Sequence, residues 1–176
     1  MKETLVVGLG NLVHADDGVG VHAIQKLALD TRVPPGVVLL DGGTQGLGLL
    51  HHISGVRRLA VVDAINAGKP AGTLLRFEGR ALAGLPGKAS VHQLGFADLM
   101  IALELLGETP PETVVFGVQP ESTEWGAELT ECVAKALPRL VDTVIAQLEC
   151  WNKERDNGAG QDYRSLQGRG EPRRSG

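Results

Sequence analysis

Three acidic positions in this 176-residue chain stand where short apolar runs end: Asp16-Asp17 follows Gly8-Leu9-Gly10-Asn11, Asp41 opens Asp41-Gly42-Gly43-Thr44, and Asp63 closes Val61-Val62. In an open α/β sheet the carboxyl ends of buried strands border the crevice where ligands bind. Any one aspartate there can serve simply as a cap for a turn or helix N-terminus. Three at successive strand ends point to shared chemistry. Of the five histidines, His22 and the pair His51-His52 fall on helical segments where imidazoles are ordinary. His14 lies in the glycine-flanked loop beside Asp16. His92 lies in Lys88-Ala89-Ser90-Val91-His92-Gln93-Leu94-Gly95, a loop expected to lead into an apolar helix.

Two carboxylates and one imidazole from separate loops form a usual ligand set for a divalent transition metal, with further positions left open. Asp17, Asp63 and His92 fit that set. Mixed oxygen and nitrogen ligation does not choose among zinc, nickel, manganese and iron. Cys132 and Cys150 are far apart in a helical region and suit neither a disulfide framework nor a thiolate metal site, so free thiols are expected.

Other chemistries are disfavoured. Gly8-Leu9-Gly10 after a first strand begins like a dinucleotide fingerprint, with Asp41 as ribose acceptor, but Val13 stands at the third glycine position. Asp16-Asp17 would also oppose a pyrophosphate at the helix start. The sequence has no Gly-x-Ser-x-Gly elbow and no phosphate loop. With 17 basic residues against 21 acidic ones and a net charge of −4, the chain offers no electrostatic footprint for nucleic acid. No apolar run approaches the roughly 20 residues that span a bilayer, and Met1 to Asn11 lacks a signal-peptide core. A cytoplasmic protein with no membrane partner is expected.

The elements that must position these residues alternate short apolar runs with helix-period segments, the pattern of an α/β layered domain. Strands are expected at residues 5–7, 37–40, 59–62, 74–77 and 114–118. Helices are expected at 18–29, 47–53, 96–106 and 129–148, the last kinked at Pro138. The link Gly68-Lys69-Pro70-Ala71-Gly72 is too short for a crossover helix, so 74–77 should pair antiparallel in an otherwise parallel sheet. With 43% hydrophobic residues the chain can bury one substantial core, giving a single domain over 1–150. Residues 151–176 hold six of the 17 basic residues and four acids with no apolar period, and are expected to form a disordered polar tail.

Taken in order, Gly8-Leu9-Gly10-Asn11 with Asp16-Asp17-Gly18-Val19-Gly20, Asp41-Gly42-Gly43-Thr44, Val62-Asp63-Ala64, His92-Gln93-Leu94-Gly95 and Gly117-Val118-Gln119-Pro120-Glu121 resemble the hydrogenase maturation endopeptidases. The resemblance runs from Leu5 to about Leu148. It implies an α/β/α sandwich around a twisted, mostly parallel mixed sheet, and an enzyme that removes a C-terminal extension from the large-subunit precursor of a nickel-iron hydrogenase. It also implies a metal site of Asp17, Asp63 and His92, with Asp41 as a third candidate carboxylate for catalysis. The first of these positions is often Glu in the family, so Asp17 shortens that ligand by one methylene. The metal implied is nickel supplied by the precursor, which the peptidase reads as its signal to cleave, acting as a monomer. The alternative is a metal-dependent chaperone or adaptor of the same fold that does not cut.

Overall fold

The computed structural model describes residues 3–78 and 91–167, with side chains for 3–78 and 98–155. Five strands form one sheet in the order β2-β1-β3-β5-β4: β1 (Thr4–Leu9), β2 (Val37–Gly43), β3 (Arg58–Ala64), β4 (Leu74–Glu78) and β5 (Glu112–Val118). All neighbours run parallel except β4, which is antiparallel to β5 as its short connection requires. The helices are α1 (Val19–Leu27), α2 (Leu50–Ile53), α3 (Val91–Leu106) and α4 (Glu131–Gln167), with 3-10 turns at Ala15–Gly18 and Gly46–Leu49.

Strand alternation sorts the core into two layers. Val6, Ala60, Val62, Ala64, Val114, Phe116 and Val118 bury against Val19, Ala23, Ile24 and Leu27 of α1 and against α4. Leu5, Val7, Leu9, Leu59, Val61 and Val115 bury on the opposite face, against Leu49, Ile53 and α3 residues Leu99 and Leu103. The result is a three-layer α/β/α sandwich with a mixed sheet.

The chain leaves β1 toward β2 on one side and later returns to β3 on the other, so the strand order reverses between β1 and β3. Such a switch point opens a crevice at the carboxyl ends of the two strands. Helix α1 lies unusually close to the floor of this crevice. A Cβ on Gly20 would stand 2.3 Å from the carbonyl oxygens of both Leu9 and Val62, so only glycine lets the helix backbone rest on β1 and β3.

Two boundaries differ from the sequence expectation by more than three residues. Helix α3 starts at Val91, not at 96, which places His92 in a helical first turn instead of a loop. The expected start at 96 follows Gly95, but one glycine inside a helix costs only about 1 kcal/mol relative to alanine. Helix α4 continues past Cys150 to Gln167, so the expected tail boundary falls inside a helix. Trp151 is only 4% exposed and belongs to the core, and Arg58 holds both its carbonyl and the Glu154 carboxylate. The apolar period ends near 150 because one large aromatic and a buried guanidinium replace it. Pro138 lies within α4, where its missing N–H removes one ladder bond. Residues 168–176, the remainder of the expected tail, lie outside the described residues.

Candidate active site

Asp63 is the penultimate residue of β3, paired in register with Gly117 of β5. Asp17 lies in the 3-10 turn Ala15–Gly18 that carries the chain from β1 into α1. Both are 3% exposed. One Asp17 oxygen accepts the Asn11 N–H at 2.9 Å, so the carboxylate closes the loop that carries it. Gly10, at φ +128°, makes that closure possible, since a Cβ there would collide with the Asp17 carbonyl at 1.8 Å. Asp63 accepts the Ala64 N–H at 2.8 Å.

Burial pushes the Asp63 carboxyl well above its ordinary range, and the negative charge of Asp17 raises it further, while the Ala64 N–H pulls weakly the other way. The structure therefore brings an acid of the turn after β1 and an acid of β3 into one buried place at the β1/β3 switch point. A carboxyl in that setting favours its protonated form.

Along β3, Leu59, Val61 and Ile65 face the α3 layer, and alternation places Asp63 on that same face. The direction of α3 follows from its far end. Glu108, just beyond the helix, accepts from the Ser54 hydroxyl at 2.8 Å and the Gly55 N–H at 3.1 Å, close to the start of β3. Its C-terminus therefore lies at the amino end of the sheet and its first turn, with His92, at the carboxyl end shared with Asp63. The His92 side chain is outside the described residues. Among the described residues no three metal-ligating side chains form a cluster.

Asp41 is adjacent to Gly8 in register but exposed, and its carboxylate accepts the Gly43 N–H at 3.0 Å, the work of a turn cap. His14 is half-buried. Its Nδ1 is 3.2 Å from the Thr123 carbonyl, and its ring lies against Trp125 at a centroid distance of 4.7 Å. His22 is on α1, while His51 and His52 stack on each other at 3.8 Å in α2. Cys132 and Cys150 are both free thiols, as expected.

The family model described as hydrogenase maturation protease matches residues 21–147. The chain belongs to the hydrogenase maturation protease family. It is 38% identical over 150 residues to the hydrogenase expression/formation protein HoxM of Cupriavidus necator, covering 84% of this chain and 74% of that one. It is 36% identical over 146 residues to the hydrogenase 2 maturation protease of Escherichia coli, covering 82% and 89%. The hydrogenase maturating endopeptidase HybD from E. coli superimposes with a TM-score of 0.79 at 34% identity, covering 84% of this chain and 92% of that one. Membership makes the chain a peptide-bond hydrolase of hydrogenase maturation.

Two residues of this maturation protease escaped the reading of its sequence as a set of ligands. Asp16, fully buried, accepts the Glu121, Ser122 and Thr130 N–H groups at 2.9, 3.0 and 2.7 Å and also the Thr130 hydroxyl. Gln119 directs its amide mainly at the loop after Asp63. Its Oε1 accepts the Ala67 and Lys69 N–H groups at 2.8 and 3.1 Å, and its Nε2 donates to Asn66 Oδ1 and the Pro120 carbonyl, both at 3.2 Å. These two side chains lock the loops after β1, β3 and β5 together. A doublet such as Asp16-Asp17 carries the only sequence signal: adjacent residues in a tight turn point different ways, so one can brace while its neighbour faces the crevice.

Proposed function

We propose that this protease removes the C-terminal extension of a nickel-iron hydrogenase large-subunit precursor after nickel has been inserted, and that the nickel is read on the substrate. The observation that carries the reading is the buried Asp17–Asp63 pair at the switch point, with the His92 end of α3 at the same end of the sheet. Oxygen donors held together against their own repulsion fit a divalent ion, and two carboxylates with one imidazole leave positions for atoms of the precursor. Nickel bound there supplies Lewis acidity to polarise a carbonyl or a water. Asp17, Asp63 and His92 would hold the ion from the protein side, and a carboxylate of the pair, with Asp41 as a further candidate, would accept a proton from water. No helix among the described residues is long and apolar enough to cross a membrane, in keeping with action on a precursor in the cytoplasm.

The test incubates the full chain with nickel-loaded and nickel-free precursor and weighs the products. Loss of the extension from the nickel-loaded form alone is the expected result. A precursor bound but left intact would make the chain an adaptor. Tight stoichiometric nickel uptake by the isolated chain, with equal cleavage of both precursor forms, would make nickel a resident cofactor.

A further inference from the structure

The loop that carries Asp17 also carries an exposed apolar ridge. Leu12 and Val13 are exposed, and Trp125, 79% exposed, lies against the His14 ring. Leu12 sits directly over Gly18, whose Cβ position is 3.1 Å from the Leu12 Cα, so the ridge begins at the shoulder of the carboxylate site. Two loops distant in sequence build this ridge, and their backbones are joined. The Gly126 N–H donates to the Val13 carbonyl at 3.0 Å, the Ala15 N–H to the Gly126 carbonyl at 2.6 Å, and the Asp16 N–H to the Ser122 carbonyl at 3.1 Å. Ala15 is held at φ +44°, an uncommon conformation for a residue with a side chain, which persists only where its surroundings enforce it.

A mostly exposed tryptophan on a hydrogen-bonded loop is a characteristic anchor of interfaces. Rigidity adds to its value, since a preformed surface loses little freedom on binding. The chain segment that carries Trp125 has one sign of charge. Glu121, Glu124 and Glu128, within four positions of Trp125 in sequence, are exposed, and no Lys or Arg occurs from 119 to 134. That acidity disfavours a second copy of this chain, because a two-fold contact would set the same carboxylates against each other.

Resting on the peptidase reading above, we infer that the ridge of Leu12, Val13, His14 and Trp125 seats the hydrogenase precursor beside the Asp17–Asp63 pair, taking a segment with an apolar side chain flanked by Lys or Arg. Trp125 is thus a specificity-determining residue, and the acidic segment selects the flanking charge.

The experiment measures the affinity of immobilised nickel-loaded precursor for the full chain, alongside cleavage, with wild type, Trp125→Ala, Trp125→Phe and Glu124→Gln/Glu128→Gln. Trp125→Ala should weaken binding at least about tenfold with an unchanged melting temperature, and Trp125→Phe should recover most of it. The double Gln variant should bind more weakly at low salt and lose part of the salt dependence. Wild-type cleavage with undiminished binding by Trp125→Ala would overturn the ridge alone. Trp125-dependent binding without cleavage would uphold the ridge and overturn the peptidase reading. Sedimentation showing a wild-type dimer abolished by Trp125→Ala would assign the ridge to self-association and overturn the inference.

Discussion

The two ends of the sheet treat buried charge in opposite ways. At the amino end, Arg58 is 3% exposed and fully answered: Glu112 and Glu154 lie 3.1 Å from its guanidinium, and the Trp151 carbonyl accepts a third bond at 2.6 Å. At the carboxyl end, Asp17 and Asp63 are equally buried, but the charge of Asp17 adds to the cost of charging Asp63. Complementary charges lock α4 to β3 and β5 at one end, where they act on stability. Like charges held together at the other end do not stabilise the empty fold, and their retention makes sense through what they bind.

The largest effect should come from breaking the carboxylate pair. Asp63→Asn and Asp17→Asn are each expected to lower precursor cleavage by at least about 100-fold, since each removes a charge that holds the ion or moves a proton. Asp17→Glu should retain activity. Asp63→Asn should match or exceed the wild-type melting temperature, because Asn still accepts the Ala64 N–H and the repulsion is gone. Full activity in Asp63→Asn would show that the pair is a structural accident.

Next in size is Asp16→Ala, which touches the contact between the loops. It leaves three N–H groups without their acceptor, and a loss of about 3 kcal/mol is expected once the loops relax and water enters. Activity should fall with it, because the Asp16 carboxylate ties the turn that aims Asp17 to Glu121, Ser122 and Thr130. A melt that moves less than two degrees would place the brace elsewhere.

Arg58→Ala should act at the opposite end alone. About 2 kcal/mol of stability should go, with a melting temperature some 4–8 °C lower. Cleavage per folded molecule should be unchanged at a temperature where the variant is fully folded. A selective loss of activity would mean that the two ends communicate through β3.

Most of this architecture was legible in the sequence, because the apolar runs of β1, β3 and β5, buried on both faces, and of the half-buried edge strand β2 read directly as strands. The antiparallel β4 followed from the length of the link before it. Asp17 and Asp63 were legible because acids at the ends of such runs stand out. What the sequence concealed were side chains whose value lies in long-range partners. Asp16 reaches Thr130 and Gln119 reaches Ala67, across 114 and 52 positions. Arg58 reaches Glu154 across 96, which is why helix α4 extends past the point where its apolar period stops. His92 was legible as a candidate but not as a helical residue, because Gly95 looked like a boundary and was only a modest penalty.

The smallest effect sharpens the comparison by pH. The Asp63 carboxyl is raised in the folded chain above its unfolded value near 3.8, so between those two values the folded form holds a proton that the unfolded form has released. Stability linked to that proton is fully present below the unfolded value and is lost as pH rises through the folded one, with a slope of up to about 1.4 kcal/mol per pH unit in the window. Denaturant melts with chelator present, from pH 4 to 8, should therefore show wild type losing stability relative to Asp63→Asn as pH rises. The difference should shrink in Asp17→Asn, where one of the two causes of the raised value has been removed and burial alone remains. Two curves running parallel across the whole range would mean that Asp63 titrates alike in both states, and the contrast between the ends of the sheet would then reduce to geometry.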